Sequence, residues 1–343
     1  MAGARVRRPG GAADAALPVA VDAMGGDKAP GEIVAGAVRA AEELGVAVTL
    51  VGRADEIGDC GALEVIEASE VIGMDEDPGQ SVRRKKDSSL VRAAEAVRDG
   101  RALAMVSAGN TGATMASALL RMGRLPGVAR PAIATPIPRP GSAPTVLLDA
   151  GANAECTSAM LLQFAQMGAT YSTARYGVED PSVALLSIGE ESSKGTPLVK
   201  EANSALASAA GIRFVGNVEG RDLLPGTADV VVTDGFTGNV ALKTLEGALR
   251  FFMGALGEVL GRDEATREAA LTLLPHLAPL AEEFDPDNTG GAMLLGVDGV
   301  CVISHGSSSA KAVVSAVRVA HDVATAGLVG RLASAVAPEG GSG

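Results

Sequence analysis

Six apolar runs in this 343-residue chain each end in a short loop that combines glycine with Asp, Asn, Ser, Thr or His. They are Asp22-Ala-Met-Gly-Gly-Asp27, Ser107-Ala-Gly-Asn-Thr-Gly112, Asp149-Ala-Gly-Ala-Asn153, Ser187-Ile-Gly-Glu-Glu191, Thr233-Asp-Gly-Phe-Thr-Gly-Asn239 and Ser304-His-Gly-Ser-Ser-Ser309. Backbone N–H groups at the mouth of a helix, flanked by hydroxyls and amides, bind phosphate without a large cationic cluster. The loops 107–112 and 233–239 suit this best, since each sets Asn, Thr and Gly where a helix opens. Candidates for holding phosphate or substrate are Asp22, Gly25, Gly26, Ser107, Gly109, Asn110, Thr111, Gly112, Asp149, Asn153 and Glu190. Any one loop reads equally as a tight turn that caps the next helix. Six alike favour one binding cleft.

Three further features carry charge. Lys194 stands beyond Glu190 and Glu191 and beside Gly195. It can hold an anion or stabilise an oxyanion, with one of the glutamates orienting it; alone, the group reads as a solvated cluster at a helix start. His305 is the one histidine in the six loops, a donor or acid candidate or else a structural cap. Arg83, Arg84, Lys85 and Lys86 form a basic run ahead of a helix-start signal, reading as a dock for an acidic partner or as a solvated loop.

Other chemistries are excluded by inspection. There is no Gly-Lys pair for a P-loop, and the one Gly-x-Gly lies at the C-terminal tip, away from any strand. No Gly-x-Ser-x-Gly elbow exists, and His276, His305 and His321 form no metal-binding pair. Cys60, Cys156 and Cys301 are too far apart for a redox pair or zinc spacing. No metal and no cofactor is expected. A net charge of −12 with 6 Phe, 2 Tyr and no Trp repels nucleic acid and offers no stacking platform. No run of roughly 20 apolar residues is present to span a bilayer, so the expected location is cytoplasmic, with contact at the inner membrane face left open.

Loops of this kind need strands to present them. Short apolar runs at 19–22, 47–51, 102–107, 145–149, 182–187, 228–233 and 300–304 alternate with helical spacing at 30–44, 88–99, 111–122, 156–167, 197–210, 239–260 and 307–324. The pattern predicts an α/β fold with a mostly parallel sheet, its loops gathered at the carboxyl edge. One domain over 17–330 is expected, between flexible tails at 1–16 and 331–343. The Pro-rich stretch 126–144 reads as a linker or subdomain crossing, and its Pro-Ile-Pro-Arg-Pro as an extended edge segment. A leucine-rich, proline-interrupted stretch at 271–280 falls between long helices, where ordinary core packing is one reading of it.

Taken in order, the loops resemble the phosphate acyltransferase family of bacterial phospholipid synthesis, from about residue 19 to 324. The resemblance is carried by Val21-Asp-Ala-Met-Gly-Gly-Asp27, Arg83-Arg-Lys-Lys-Asp-Ser-Ser89, Ser107-Ala-Gly-Asn-Thr-Gly-Ala113, Leu148-Asp-Ala-Gly-Ala-Asn153, Gly189-Glu-Glu-Ser-Ser-Lys-Gly195, Gly216-Asn-Val-Glu-Gly220, Thr233-Asp-Gly-Phe-Thr-Gly-Asn-Val240, Gly290-Gly-Ala-Met-Leu-Leu-Gly296 and His305-Gly-Ser-Ser308. Thr196 departs from the Asn that the family often carries there. The resemblance implies a three-layer α/β/α sandwich, isopropylmalate-dehydrogenase-like and phosphotransacetylase-like. It also implies transfer of a long-chain acyl group from acyl carrier protein to inorganic phosphate by a homodimer at the cytoplasmic membrane face. Asn110, Thr111 and the amides near Gly112 would then hold phosphate, and Lys194 would neutralise phosphate or oxyanion charge. Asp234, Asn239 and His305 would position the reacting groups, Arg83 to Lys86 would dock the carrier, and a hydrophobic helical tip near 251–285 would pair subunits and touch lipid. The competing readings are a non-catalytic membrane scaffold for lipid enzymes and a β-decarboxylating dehydrogenase, whose aspartate cluster and carboxylate-gripping arginines the loops lack.

Overall fold

The computed structural model describes residues 17–337, so the expected tail at 1–16 and the chain end at 338–343 lie outside the described residues. The first half runs β1 (Val19–Asp22), α1 (Gly31–Leu44), β2 (Val48–Gly52), α2 (Ala54–Ile57), β3 (Glu64–Glu67), α3 (Pro78–Arg84), α4 (Ser89–Arg98), β4 (Ala104–Ser107), α5 (Thr111–Arg121) and β5 (Ala132–Ile137). The second runs β6 (Thr145–Leu148), α6 (Ser158–Tyr176), β7 (Ser182–Leu186), α7 (Pro197–Ser208), β8 (Arg213–Val218), β9 (Val230–Val232), α8 (Gly235–Leu260) and α9 (Glu264–Glu283). The chain then closes through α10 (Pro286–Thr289), β10 (Ala292–Leu295), β11 (Val300–Ile303), α11 (Ala310–Thr325) and α12 (Leu328–Ala335). Beyond residue 330, where a tail is expected, α12 instead buries Leu332, and Val336 follows it into the core.

All strands join one 11-stranded sheet in the order β3-β2-β1-β4-β11-β10-β5-β6-β9-β7-β8. Side chains that alternate along a strand go to opposite faces. Val19 and Val21 enter one cluster and Ala20 another; Val300 and Val302 part in the same way from Cys301 and Ile303. One face is a continuous core under α1, α6, α11 and α12. The other carries two cores, one under α4 and α5 and one against α8, with a seam across β5: Ile133 belongs to the first and Ile137 to the second. Leu242 of α8 packs against both. Helices on both faces of the sheet make the three-layer sandwich.

Strand direction overturns one expectation. The block β3-β2-β1-β4-β11 is parallel, but β10 is antiparallel to both β11 and β5, and β5 is antiparallel to β6. The parallel block β6-β9-β7-β8 therefore points the other way. The six loops do not share one rim: those after β1, β4 and β11 open at one edge of the sheet, and those after β6, β7 and β9 at the other. The Pro-rich stretch is also not a sheet edge, since β5 lies mid-sheet. Pro136 fits because β10 pairs only with Ala132 to Ala134, leaving Pro136 partnered by Val146 of β6 alone.

The leucine-rich stretch lies inside a helix rather than between helices. It forms part of α9, with Pro275 and Pro279 within it, and α8 and α9 together bury only Gly235, Gly238 and Ala270. Phe251 is 80% and Leu271 70% exposed, so this is not core. Among the described residues no single helix is long and apolar enough to cross a membrane.

Candidate active site

At the first edge the loops after β1, β4 and β11 are stitched to one another. Asp22, 1% exposed, accepts the Ser107 hydroxyl at 2.7 Å and the Met24 N–H at 3.2 Å. Burial pushes its carboxyl above the usual range, against the lowering effect of Ser107, Ser89 and Met24. Ser107 Oγ also accepts the Gly109 N–H at 3.0 Å. The loops approach so closely that a Cβ on Gly25 would lie 2.4 Å from Asp22 Oδ2 and 2.7 Å from Gly109 N. Gly26 lies against Gly306 and Ala108, and Asp27 N–H donates to Gly306 O at 2.7 Å.

Asn110 is equally committed. Its Oδ1 caps α5 by accepting the Ala113 N–H at 3.0 Å, and its Nδ2 donates to the carbonyls of Met74 and Glu76 at 2.8 and 3.3 Å. Its amide thus clasps the 74–76 segment instead of standing free for phosphate. That segment is held in turn by Glu76, which accepts from Lys85, from the Gly73 N–H at 2.8 Å and from the Ser81 hydroxyl at 2.7 Å. The Lys85 ammonium, with Gly73 and Ser81, holds the Glu76 carboxyl down at about 2. Such a group stabilises the fold fully above the ordinary glutamate range, and the contribution is lost as pH falls through the folded value. Glu76→Gln is therefore expected to cost no more than about 1 kcal/mol at neutral pH. The gap should close between pH 4.5 and about 2 in acid unfolding followed by circular dichroism; a gap independent of pH would remove the ion pair as its cause.

Lys85 is spent in this clamp, donating also to Val71 O at 2.7 Å. The basic run thus presents Arg83, Arg84 and Lys86, exposed and without ion pairs among the described residues. Thr111 is exposed, and its hydroxyl is unbonded among the described residues; Gly112 packs against Pro78. His305 Nδ1 receives the Ser307 N–H at 3.3 Å and lies 2.8 Å from its hydroxyl. Nδ1 is thus engaged within its own loop, and Nε2 makes no hydrogen bond among the described residues.

At the second edge Asp149 organises everything near it. Fully buried, it accepts N–H groups of Ile133, Gly151, Ala152 and Asn153 and the Asn153 Nδ2, at 2.7 to 3.2 Å. Burial raises its carboxyl above the usual range, and the donors work against that rise. With its oxygens filled, Asp149 shapes the loop rather than touching a ligand. Asn153 spends its second amide hydrogen on Pro131 O at 2.8 Å, and its own carbonyl receives the Gly235 N–H at 2.8 Å. Asp234 caps α8 by accepting the Thr237 N–H and hydroxyl at 2.9 and 2.8 Å. Asn239, exposed, lies over Gly151.

Lys194 is exposed, with its stem over Gly189. Neither glutamate orients it: Glu190 lies 3.7 Å from Arg221, and Lys194 has no ion pair among the described residues. Ser187 Oγ and Ser304 Oγ, one at each edge, are buried with no hydrogen-bond partner among the described residues. Burial pushes the Cys156 thiol up to about 11 and Cys301 to about 12, so neither is a thiolate at neutral pH.

One feature of this edge escapes sequence reading. Between α5 and β5 lies an open surface cavity of about 560 Å³ lined by Leu119, Arg124, Ala129 and Arg130, the last three exposed. Arg130 directly precedes the Pro131 whose carbonyl binds Asn153, so the cavity opens beside the Asp149 loop. Two arginines six residues apart among prolines and glycines carry no motif that would mark them.

A family model described as fatty acid synthesis protein matches residues 17–331. The chain belongs to that family. It is 49% identical over 313 residues to a phosphate acyltransferase of Heliobacterium modesticaldum, covering 89% of this chain and 93% of that one. With a phosphate acyltransferase of Desulforudis audaxviator it shares 48% identity, covering 93% and 96%. Its fold is that of a phosphotransacetylase from Streptococcus pyogenes, with a TM-score of 0.61 at 19% identity and coverage of 90% and 94%. A member of this family is an acyltransferase, and the locked carboxylates and free cation, amide and imidazole described above belong to its loops.

Proposed function

We propose that the protein transfers a long-chain acyl group from acyl carrier protein to inorganic phosphate, yielding acyl phosphate for phospholipid synthesis. One observation carries the reading: the loop carboxylates Asp22, Asp149 and Asp234 are occupied by internal donors, while Lys194, Asn239, Thr111 and His305 Nε2 are left free among the described residues. Buried carboxylates that are already filled, beside an ammonium that is free, suit an anionic nucleophile. Phosphate is largely ionised near neutral pH, so a phosphate oxygen attacks the thioester carbon directly. A C–O bond forms, the oxyanion collapses, the C–S bond breaks and the carrier thiolate takes up, through solvent, the proton that the hydrogen phosphate gives up.

Lys194 neutralises charge on phosphate or on the tetrahedral oxyanion, and Asp234 positions Asn239 by capping α8. Both stand at the second edge, where the reaction is centred. Thr111 and His305, at the far end of strands ~13 Å long, offer donors to the rest of the donor substrate. The exposed hairpin α8–α9 pairs two subunits, and its apolar tip rests on the cytoplasmic membrane face. Replacing Leu273, Leu274 and Leu277 by Ser should reduce flotation with liposomes; unchanged flotation would sink the lipid contact. Arg83, Arg84 and Lys86 dock the acidic carrier, so the KM for acylated carrier should rise severalfold between about 50 and 200 mM salt. A KM indifferent to salt would argue against that surface.

The deciding experiment is turnover of palmitoyl carrier protein with and without inorganic phosphate, following free carrier and acyl phosphate together. Phosphate-dependent appearance of both is expected. A folded protein that releases neither would overturn the reading.

A further inference from the structure

We propose that the cavity lined by Leu119, Arg124, Ala129 and Arg130 is the phosphate-group site of the reaction, an assignment that rests on the acyl-transfer reading above. In the glycine loop at 107–112 Asn110 spends both ends of its amide internally, and Gly109 N–H and the Ser107 hydroxyl are bonded to each other or to Asp22, so the loop keeps only the Thr111 hydroxyl and the first amides of α5, with no cation among them. It also opens at the edge opposite Lys194 and Asn239. The arginine cavity opens at their own edge, where β5 begins and the Asp149 loop turns.

The two guanidinium groups are held differently. Arg124 donates one nitrogen to the carbonyls of Val128 and Ala129, which fixes its plane and leaves Nε and Nη2 for a ligand. Arg130 makes no side-chain hydrogen bond and no ion pair among the described residues, leaving five N–H donors. In a chain of net charge −12 neither arginine is neutralised by a carboxylate among the described residues. Their loop is a rigid mount. Gln163 clamps it by accepting the Ala129 N–H at 2.9 Å and donating to Gly127 O at 2.8 Å. Leu125 N–H donates to Gly296 O at 3.0 Å, and Asn153 reaches Pro131 O. Paired forks on a fixed loop match the geometry of a tetrahedral oxyanion. The phosphate group is brought either as inorganic phosphate or as the phosphodiester of the carrier's thiol arm; the chemistry recognised is the same.

Binding of inorganic phosphate to the full-length protein, read by calorimetric titration without acyl donor, tests the site apart from turnover. Arg130→Gln removes a guanidinium that supports nothing else, so it should fold as the parent does; Arg124→Gln also frees two carbonyls and serves as the second variant. The phosphate dissociation constant is expected to rise about tenfold or more in Arg130→Gln and to stay unchanged in Arg318→Gln, an exposed charge on α11. If phosphate affinity holds but the KM for acylated carrier rises by a similar factor, the cavity takes the phosphodiester. If neither changes, the proposal is overturned. A parent protein that binds phosphate through Arg130 yet transfers no acyl group would sink the acyl-transfer reading and keep the cavity. One that turns over while Arg130→Gln binds and reacts like the parent would do the reverse.

Discussion

Lys194→Met is expected to lower turnover by about 10²–10³, the usual cost of removing one group aimed at a developing oxyanion, while leaving the melting temperature where it is. The two halves of that expectation come from the same geometry. Lys194 is exposed and unpaired among the described residues, so the fold loses no contact of its ammonium. Its loop is fastened by other atoms: Lys194 N–H donates to Glu191 O at 2.9 Å, Asn217 Nδ2 donates to the same carbonyl at 2.9 Å, and Thr196 caps α7 through the Val199 N–H. Steady-state kinetics separate the roles. If Lys194 holds phosphate in the ground state, the KM for phosphate rises; if it meets the oxyanion, kcat falls with KM unchanged. Full turnover would remove Lys194 from the site, and a lowered melting temperature would mean the loop depends on it.

Spacing places β1 at 19–22 and the start of α5 at 111, where both are found, because a fully apolar run and an Asn-Thr-Gly opening are local signals. The reversal of the second block is not local. It follows from β10 and β5, short strands of four and six residues, one unmarked and the other carrying Pro136. The site divides along the same line. Asp22, Asp149 and Asn110 are polar residues in glycine loops, and in one dimension they look like ligands. Only burial and hydrogen-bond partners show that they build the loops. The groups left free, Lys194 and His305 among them, were visible as residue types but not as free. The arginines at 124 and 130 share neither a loop motif nor a helix turn, and only the fold sets them on one cavity.

The glycines of the 233–239 loop invite a reading as ligand-binding residues, yet their first duty is steric. In Gly238→Ala the added Cβ would lie 2.0 Å from Asp149 O and 3.0 Å from its carbonyl carbon, a clash with main chain that no rotamer relieves. The first turn of α8 is tied to that loop by the Gly235 N–H on Asn153 O. Relief therefore requires the helix to lift off a carboxylate whose oxygens already serve five donors. Ordinary overpacking costs ~1–3 kcal/mol. A backbone contact this short beside a buried charge should exceed the upper figure, and it should misplace Asn239 one residue on, so activity and denaturation midpoint fall together. The same helix supplies its own control. A Cβ added at Gly247 would meet no atom within 4 Å, and Gly247→Ala should stabilise by up to about 1 kcal/mol through helix propensity alone. Opposite signs from one substitution at two places in α8 are what a steric role at Gly238 requires; a Gly238→Ala protein as stable as the parent would return that glycine to the candidates for ligand contact.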